Sequence, residues 1–252
     1  MASSPNYVIS EMSDALPTAH VIAGFAAPDL AALTAIDYLV DTYAATPLAA
    51  VRTRGLPDVA IVQDGEAHHP IRLYTLPSLD LTVLTAEVFV PVSLADRFAN
   101  TFGTWLSGSD IASVTILRGG QFPHREEEHR PYLVASDRFI EAINGAQLEP
   151  LRAGMLDGVA GEVLLRSNEH DYPPAGVVVT PAHVPGPDID AALCLLDGIA
   201  TMFDLSIDDT ALRDRAERLR TYYEGVADRL ESIRAGDGSL TQRDFPEDRM
   251  YM

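Results

Sequence analysis

Apolar runs of strand length alternate with helical stripes along this chain, and that alternation restricts its fold more than any other property of the sequence. Ile111 to Leu117 is rich in β-branched residues, as strands favour, and it ends at Gly119-Gly120. Ala175 to Thr180 is a second run of the same kind. Between the strands, Leu30, Leu33, Ile36, Leu39 and Val40 recur at helical spacing, as do Leu212, Ala216, Leu219, Val226, Leu230 and Ile233 near the end. Strands and helices in alternation bury their apolar faces by stacking helices on both sides of a sheet. The expected fold is a single three-layer α/β domain with a mostly parallel, helix-covered sheet. No linker or compositional break interrupts residues 1–235, and residues 236–252 read as a flexible, polar, turn-rich tail.

Local signals place the elements. Strands are expected at Tyr7 to Ile9, His20 to Phe25 with a turn at Gly24, Leu48 to Arg52, Val59 to Val62 and Tyr132 to Ala135. Ile71 to Leu76 and Leu81 to Ala86 form an antiparallel pair through a turn at Pro77-Ser78. Pro28-Asp29 opens a helix reaching Tyr43, since proline suits a first helical turn. Ser93 is the expected N-cap of a helix to Leu106. Further helices are expected over Asp137 to Asn144, from the glycine-rich segment at Gly154 to about Asn168, from Asp188 to Phe203, and from Asp208-Asp209 to Ala235.

Charge limits the partners. The 252 residues carry a formal net charge of −19, and all 18 basic residues are arginine. Such a surface repels phosphate backbones and anionic lipid, which argues against nucleic acid and membrane surfaces as partners. An acidic, lysine-free chain resembles cytosolic proteins of extreme halophiles, where a screening length near 3 Å at about 1 M salt relieves self-repulsion. Cys194 is the sole cysteine, which fits a reducing compartment. No secretory signal and no apolar stretch of membrane-spanning length are read, so the expectation is a cytoplasmic protein.

The chemical candidates are thin. Gly154 to Gly161 lacks the Gly-Lys-Ser/Thr ending of a phosphate loop, and Asp157 inside it would repel an anion, so its glycines are expected to serve packing and backbone turning. His68-His69 and the His124 to His129 stretch around Glu126-Glu127-Glu128 have no recognised metal-ligand spacing and read as solvated loop. His183, just beyond a strand, holds a position where α/β folds place ligands. Cys194 sits among Ala191, Leu193, Leu195 and Leu196 as a small buried hydrophobe. A phosphate- or nucleoside-handling enzyme would need Arg52, Arg118, Arg152 or His183 to converge on one anion-receiving pocket. No catalytic constellation, cofactor motif or metal motif can be assembled, and the expectation is a protein that is not an enzyme.

Two stretches resemble the proteasome assembly chaperone family in its archaeal and bacterial form. One is Val21-Ile22-Ala23-Gly24-Phe25 leading into a helix with Ala35-Ile36-Asp37-Tyr38-Leu39-Val40. The other is Gly158-Val159-Ala160-Gly161, the strand Gly176 to Thr180, then Pro187-Asp188-Ile189-Asp190-Ala191-Ala192 and the final long helix. The likeness spans roughly residues 18–235. Ala26-Ala27-Pro28-Asp29 replaces a glycine-richer run of many members, which argues against a ligand pocket in that turn. The resemblance implies a three-layer fold similar to nucleoside phosphorylases, assembly into homo-oligomers, and no catalytic site.

It also implies a use for the tail. Archaeal relatives that end in hydrophobic-Tyr-X dock on the α-ring of the proteasome core. By that likeness Met250 fills the hydrophobic position, Tyr251 the tyrosine, and Met252 supplies the carboxylate, with core α-subunits as partner. Such an ending occurs by chance in roughly 1 chain in 100, so the motif gains its weight from the domain beside it. A flexible tether of about 15 residues from Gly236 reaches about 20 Å, enough to leave a domain surface.

Overall fold

A computed structural model describes residues 7–53, 59–143, 148–169, 172–219 and 221. In chain order its elements are β1 (Tyr7–Glu11), β2 (His20–Phe25), α1 (Ala31–Thr42), β3 (Thr46–Thr53), β4 (Ile61–Gln63) and β5 (Glu66–His68). They continue with β6 (Ile71–Leu76), β7 (Leu81–Ala86), α2 (Val92–Ser107), β8 (Ser113–Gly120), β9 (Tyr132–Ala135) and α3 (Asp137–Ala142). β10 (Glu149–Pro150), α4 (Gly158–Asn168), β11 (Ala175–Pro181) and α5 (Ile189–Phe203) complete the series. Two units divide the chain, Met1–Asp209 and Thr210–Met252. The first holds all of these elements; in the second, residues 210–219 are helical.

Nine strands form one sheet in the order β1-β3-β6-β7-β2-β8-β11-β9-β10, while β4 and β5 make a separate hairpin. The expected parallel character holds at the centre, where β7, β2, β8 and β11 run the same way. The flank β1-β3-β6-β7 is antiparallel throughout, and β9 runs against β11. Central strands are buried on both faces, so side chains of opposite parity feed two different cores. Val21, Ala23, Val114, Ile116, Val177 and Val179 join the core on the α2 and α4 side. On the other face α1 packs against α5. The result is the expected helix–sheet–helix sandwich.

Aromatic packing anchors α2 to the sheet. Phe98 meets Tyr7 and Phe25 edge-on, with centroids 5.2 and 5.4 Å apart. Gly24 lies inside β2 and makes no turn there: a Cβ on it would fall 2.6 Å from Ile36 Cγ1, so its lack of a side chain seats α1 against the strand. Gly119-Gly120 likewise extends β8 past Leu117, paired in register with Thr180 and Pro181 of β11. α2 begins at Val92 after Pro91, with no side-chain cap, because Pro91 already turns the chain and its carbonyl accepts from Leu94 N at 2.8 Å. Ser93 therefore sits inside the helix. Asp188, the expected start of this helix, is its N-cap, accepting from Ala191 N at 3.0 Å.

Candidate functional site

Met250, Tyr251 and Met252 lie outside the described residues, as do residues 222–249. Within the described domain, the chemistry gathers at the carboxyl edge of the parallel strands, where open α/β sheets place ligands. A cavity of about 780 Å³ opens there, at the ends of β2 and β8 and the start of α4. Its size suits a small molecule. The turn Phe25-Ala26-Ala27-Pro28-Asp29 forms part of its wall. This corrects the expectation drawn from that turn: the short side chains of Ala26 and Ala27 leave the space open.

The cavity's charged groups are engaged with one another or with the backbone. Arg118 forms an ion pair with the Asp157 carboxylate and donates to the Asp157 carbonyl at 3.2 Å. Asp29 is buried, and its Oδ1 accepts from Ala31 N at 2.9 Å, closing the first turn of α1. Gly158, at φ +62°, supplies the left-handed step that lets the loop after Asp157 enter α4. The glycine-rich segment therefore serves backbone turning and packing, as its sequence implied. Arg52 lies in β3 beside His68 and His69, in a separate depression of about 400 Å³. Arg152 is exposed, 4.0 Å from Glu149. The four groups that an anion-handling enzyme would bring together do not converge.

His183 has different company. Its ring stands 5.3 Å from that of His124 and 5.7 Å from that of His129, and His124 lies 5.4 Å from His129. His183 Nδ1 is 2.9 Å from Asp188 Oδ2. His129 Nδ1 is 3.5 Å from Cys194 Sγ, and burial lowers the pKa of this imidazole. One donor atom from each of His129, His183 and Asp188 lies within 4.8 Å of the other two. Sequence spacing set His124 and His129 aside because the grouping depends on strand order. β8 and β11 are parallel neighbours, so the loops that follow them meet at the same edge.

Away from this edge, Asp37 on α1 has its pKa pushed up to about 6, chiefly by burial; its Oδ1 accepts from Thr85 Oγ1 at 2.9 Å. Arg72 is ion-paired to Glu87 nearby. These groups lie among packed side chains and line no cavity described above. No helix among the described residues is long and apolar enough to cross a membrane.

The fold and its edge define an α/β protein covered by helices on both faces, with a ligand-sized cavity whose arginine is already neutralised. A model of the PAC2 family matches residues 21–227, and the chain belongs to that family. Its fold is similar to that of Pyrococcus furiosus PbaA, an archaeal homolog of proteasome-assembly chaperone, with a TM-score of 0.78 and 17% identity over 91% of this chain and 95% of that one. PbaB of Pyrococcus furiosus, an archaeal proteasome activator, matches with a TM-score of 0.71 and 17% identity over 89% of this chain and 100% of that one. A Thermoplasma acidophilum protein of unknown function matches with a TM-score of 0.69 and 21% identity over 88% and 91%. No protein of curated function matches the sequence.

Proposed function

We propose that this chain is a non-enzymatic, proteasome-interacting chaperone or adaptor that docks Met250-Tyr251-Met252 into pockets of the core α-ring. Membership of the PAC2 family over residues 21–227 carries the reading. The fold likeness to an archaeal homolog of proteasome-assembly chaperone and to an archaeal proteasome activator supports it. In docking, Met250 supplies apolar contact, and Tyr251 combines a large apolar body with a hydroxyl that finds a polar partner. The tail of residues 236–252 acts as a tether to the domain. A single tail binds weakly because its ordering costs entropy. Homo-oligomerisation presents several tails to one ring and raises the effective concentration of each.

The test uses isolated α-subunits and completed core particle as separate baits, each offered the full chain and a chain lacking Met250 to Met252. Tail-dependent retention on either bait supports the proposal. Preference for free subunits assigns an assembly role, and preference for the completed core assigns a regulatory one. Equal retention of both chains removes the tail from the mechanism, and retention of neither overturns the partner.

A further inference from the structure

The histidine cluster at the end of β8 and β11 has no part in tail docking, yet its geometry is that of a ligand set. We propose that His129, His183 and Asp188, joined by His124, bind one divalent transition-metal ion, with zinc the best match by ligand type. Two connections meet here: the one from β8 to β9 supplies His124 and His129, and the one from β11 to α5 supplies His183 and Asp188.

Distances support one ion between the rings. With zinc–nitrogen bonds of about 2.0–2.1 Å and tetrahedral angles, donor atoms stand about 3.4 Å apart and the centroids of bound imidazoles about 5.2 Å apart. The three ring separations, 5.3, 5.4 and 5.7 Å, lie close to that figure. Donor atoms within 4.8 Å of one another need shifts of about 1 Å to close on an ion, which side-chain rotation supplies.

Protonation is also arranged for binding. His124 Nδ1 donates to the Phe122 carbonyl at 3.0 Å, which leaves Nε2 as the lone-pair nitrogen. His183 Nδ1 and Asp188 Oδ2 stand 2.9 Å apart, so these two donor atoms already face the space that one ion would occupy. Asp188 is itself fixed: Oδ1 accepts from Ala191 N at 3.0 Å and Oδ2 from His183 N at 2.7 Å. Imidazole and carboxylate donors suit zinc, cobalt and iron and discriminate against magnesium and calcium, which take oxygen ligands. The chain's net charge of −19 favours cations near its surface in general, so stoichiometry and selectivity must separate a built site from diffuse attraction.

Chelator-treated full-length chain is titrated with Zn²⁺, with Co²⁺ as the visible reporter of a tetrahedral site and with Mg²⁺ as the oxygen-seeking control. The expected result is one saturable Zn²⁺ or Co²⁺ per chain that excess Mg²⁺ leaves in place. Removing an outer partner of a bound imidazole already costs about 10–100-fold in affinity. A chain with both H129A and H183A should therefore lose about 100-fold or more. H183A alone changes an exposed side chain and keeps the test available where the double variant does not fold. H68A with H69A, in the separate depression beside Arg52, should bind as the unchanged chain does. Many weak sites unaffected by H183A, or no saturable binding, would overturn the proposal.

Discussion

The two halves of the sheet differ both in burial and at their edges: β1 and β3 of the antiparallel flank are partly exposed, and the parallel strands are buried along most of their length. Every residue of β7, which both halves share, is buried, and so is every residue of β11 at the far side. In β1-β3-β6-β7 the strands alternate in direction, so their connections are divided between opposite ends. The turn between β6 and β7 is a short link through Pro77-Ser78-Leu79-Asp80. In β7-β2-β8-β11 all strands end at one edge, and the loops that follow them converge there. The cavity with Arg118 and Asp157 and the histidine cluster both lie at that edge. Strand direction decides at which edge the loops and their chemical groups gather.

The framework half should be the more sensitive to substitution. Phe98 packs α2 against Tyr7 and Phe25, and Phe98→Ala removes a fully buried ring. The expected loss is about 3–5 kcal/mol, read from chemical unfolding. A loss below about 1 kcal/mol would mean that the aromatic cluster is not what fastens this half.

Asp37 should show the opposite sign. Its pKa in the folded protein, about 6, lies above the ordinary carboxyl value of 3.8, so the folded state holds a proton that the unfolded state releases. Stability should fall as pH rises from about 4 to about 6, by at most about 3 kcal/mol. Asp37→Asn should remove that slope and be the more stable protein above pH 6, because the amide oxygen still accepts from Thr85. An unchanged slope would place the titration on another group.

The smallest effect belongs to the parallel edge. Arg118 and Asp157 are both substantially exposed, so Arg118→Ala should change stability by less than about 1 kcal/mol. A cost comparable to that of Phe98→Ala would erase the distinction between framework and edge.

Much of this division was legible in the sequence. The β2, β6, β7 and β9 runs, the start of α5 near Asp188 and the antiparallel β6–β7 pair follow from local pattern alone. Asp64-Gly65 carries the strongest short hairpin signal, yet only its first strand was anticipated; both residues adopt positive φ between β4 and β5. The turn expected at Gly24 is absent, and β8 runs through Gly119-Gly120 to pair with β11, because a glycine's local freedom looks the same whether the chain bends or a neighbour presses close. The histidine cluster was hidden for a different reason. His124 and His183 are 59 residues apart, and only the pairing of β8 with β11 brings their loops together. The ending Met250-Tyr251-Met252 is visible in the sequence as a motif, and its proposed docking role draws its weight from the family that the domain belongs to.

Equilibrium binding of the full chain to the proteasome core, compared with a chain lacking Met250 to Met252 and with Tyr251→Ala, tests the proposed function most directly. Tail docking predicts saturable binding that the truncation abolishes and that Tyr251→Ala weakens by about tenfold or more, as expected for losing a central aromatic anchor. Binding of equal strength by all three chains would contradict it.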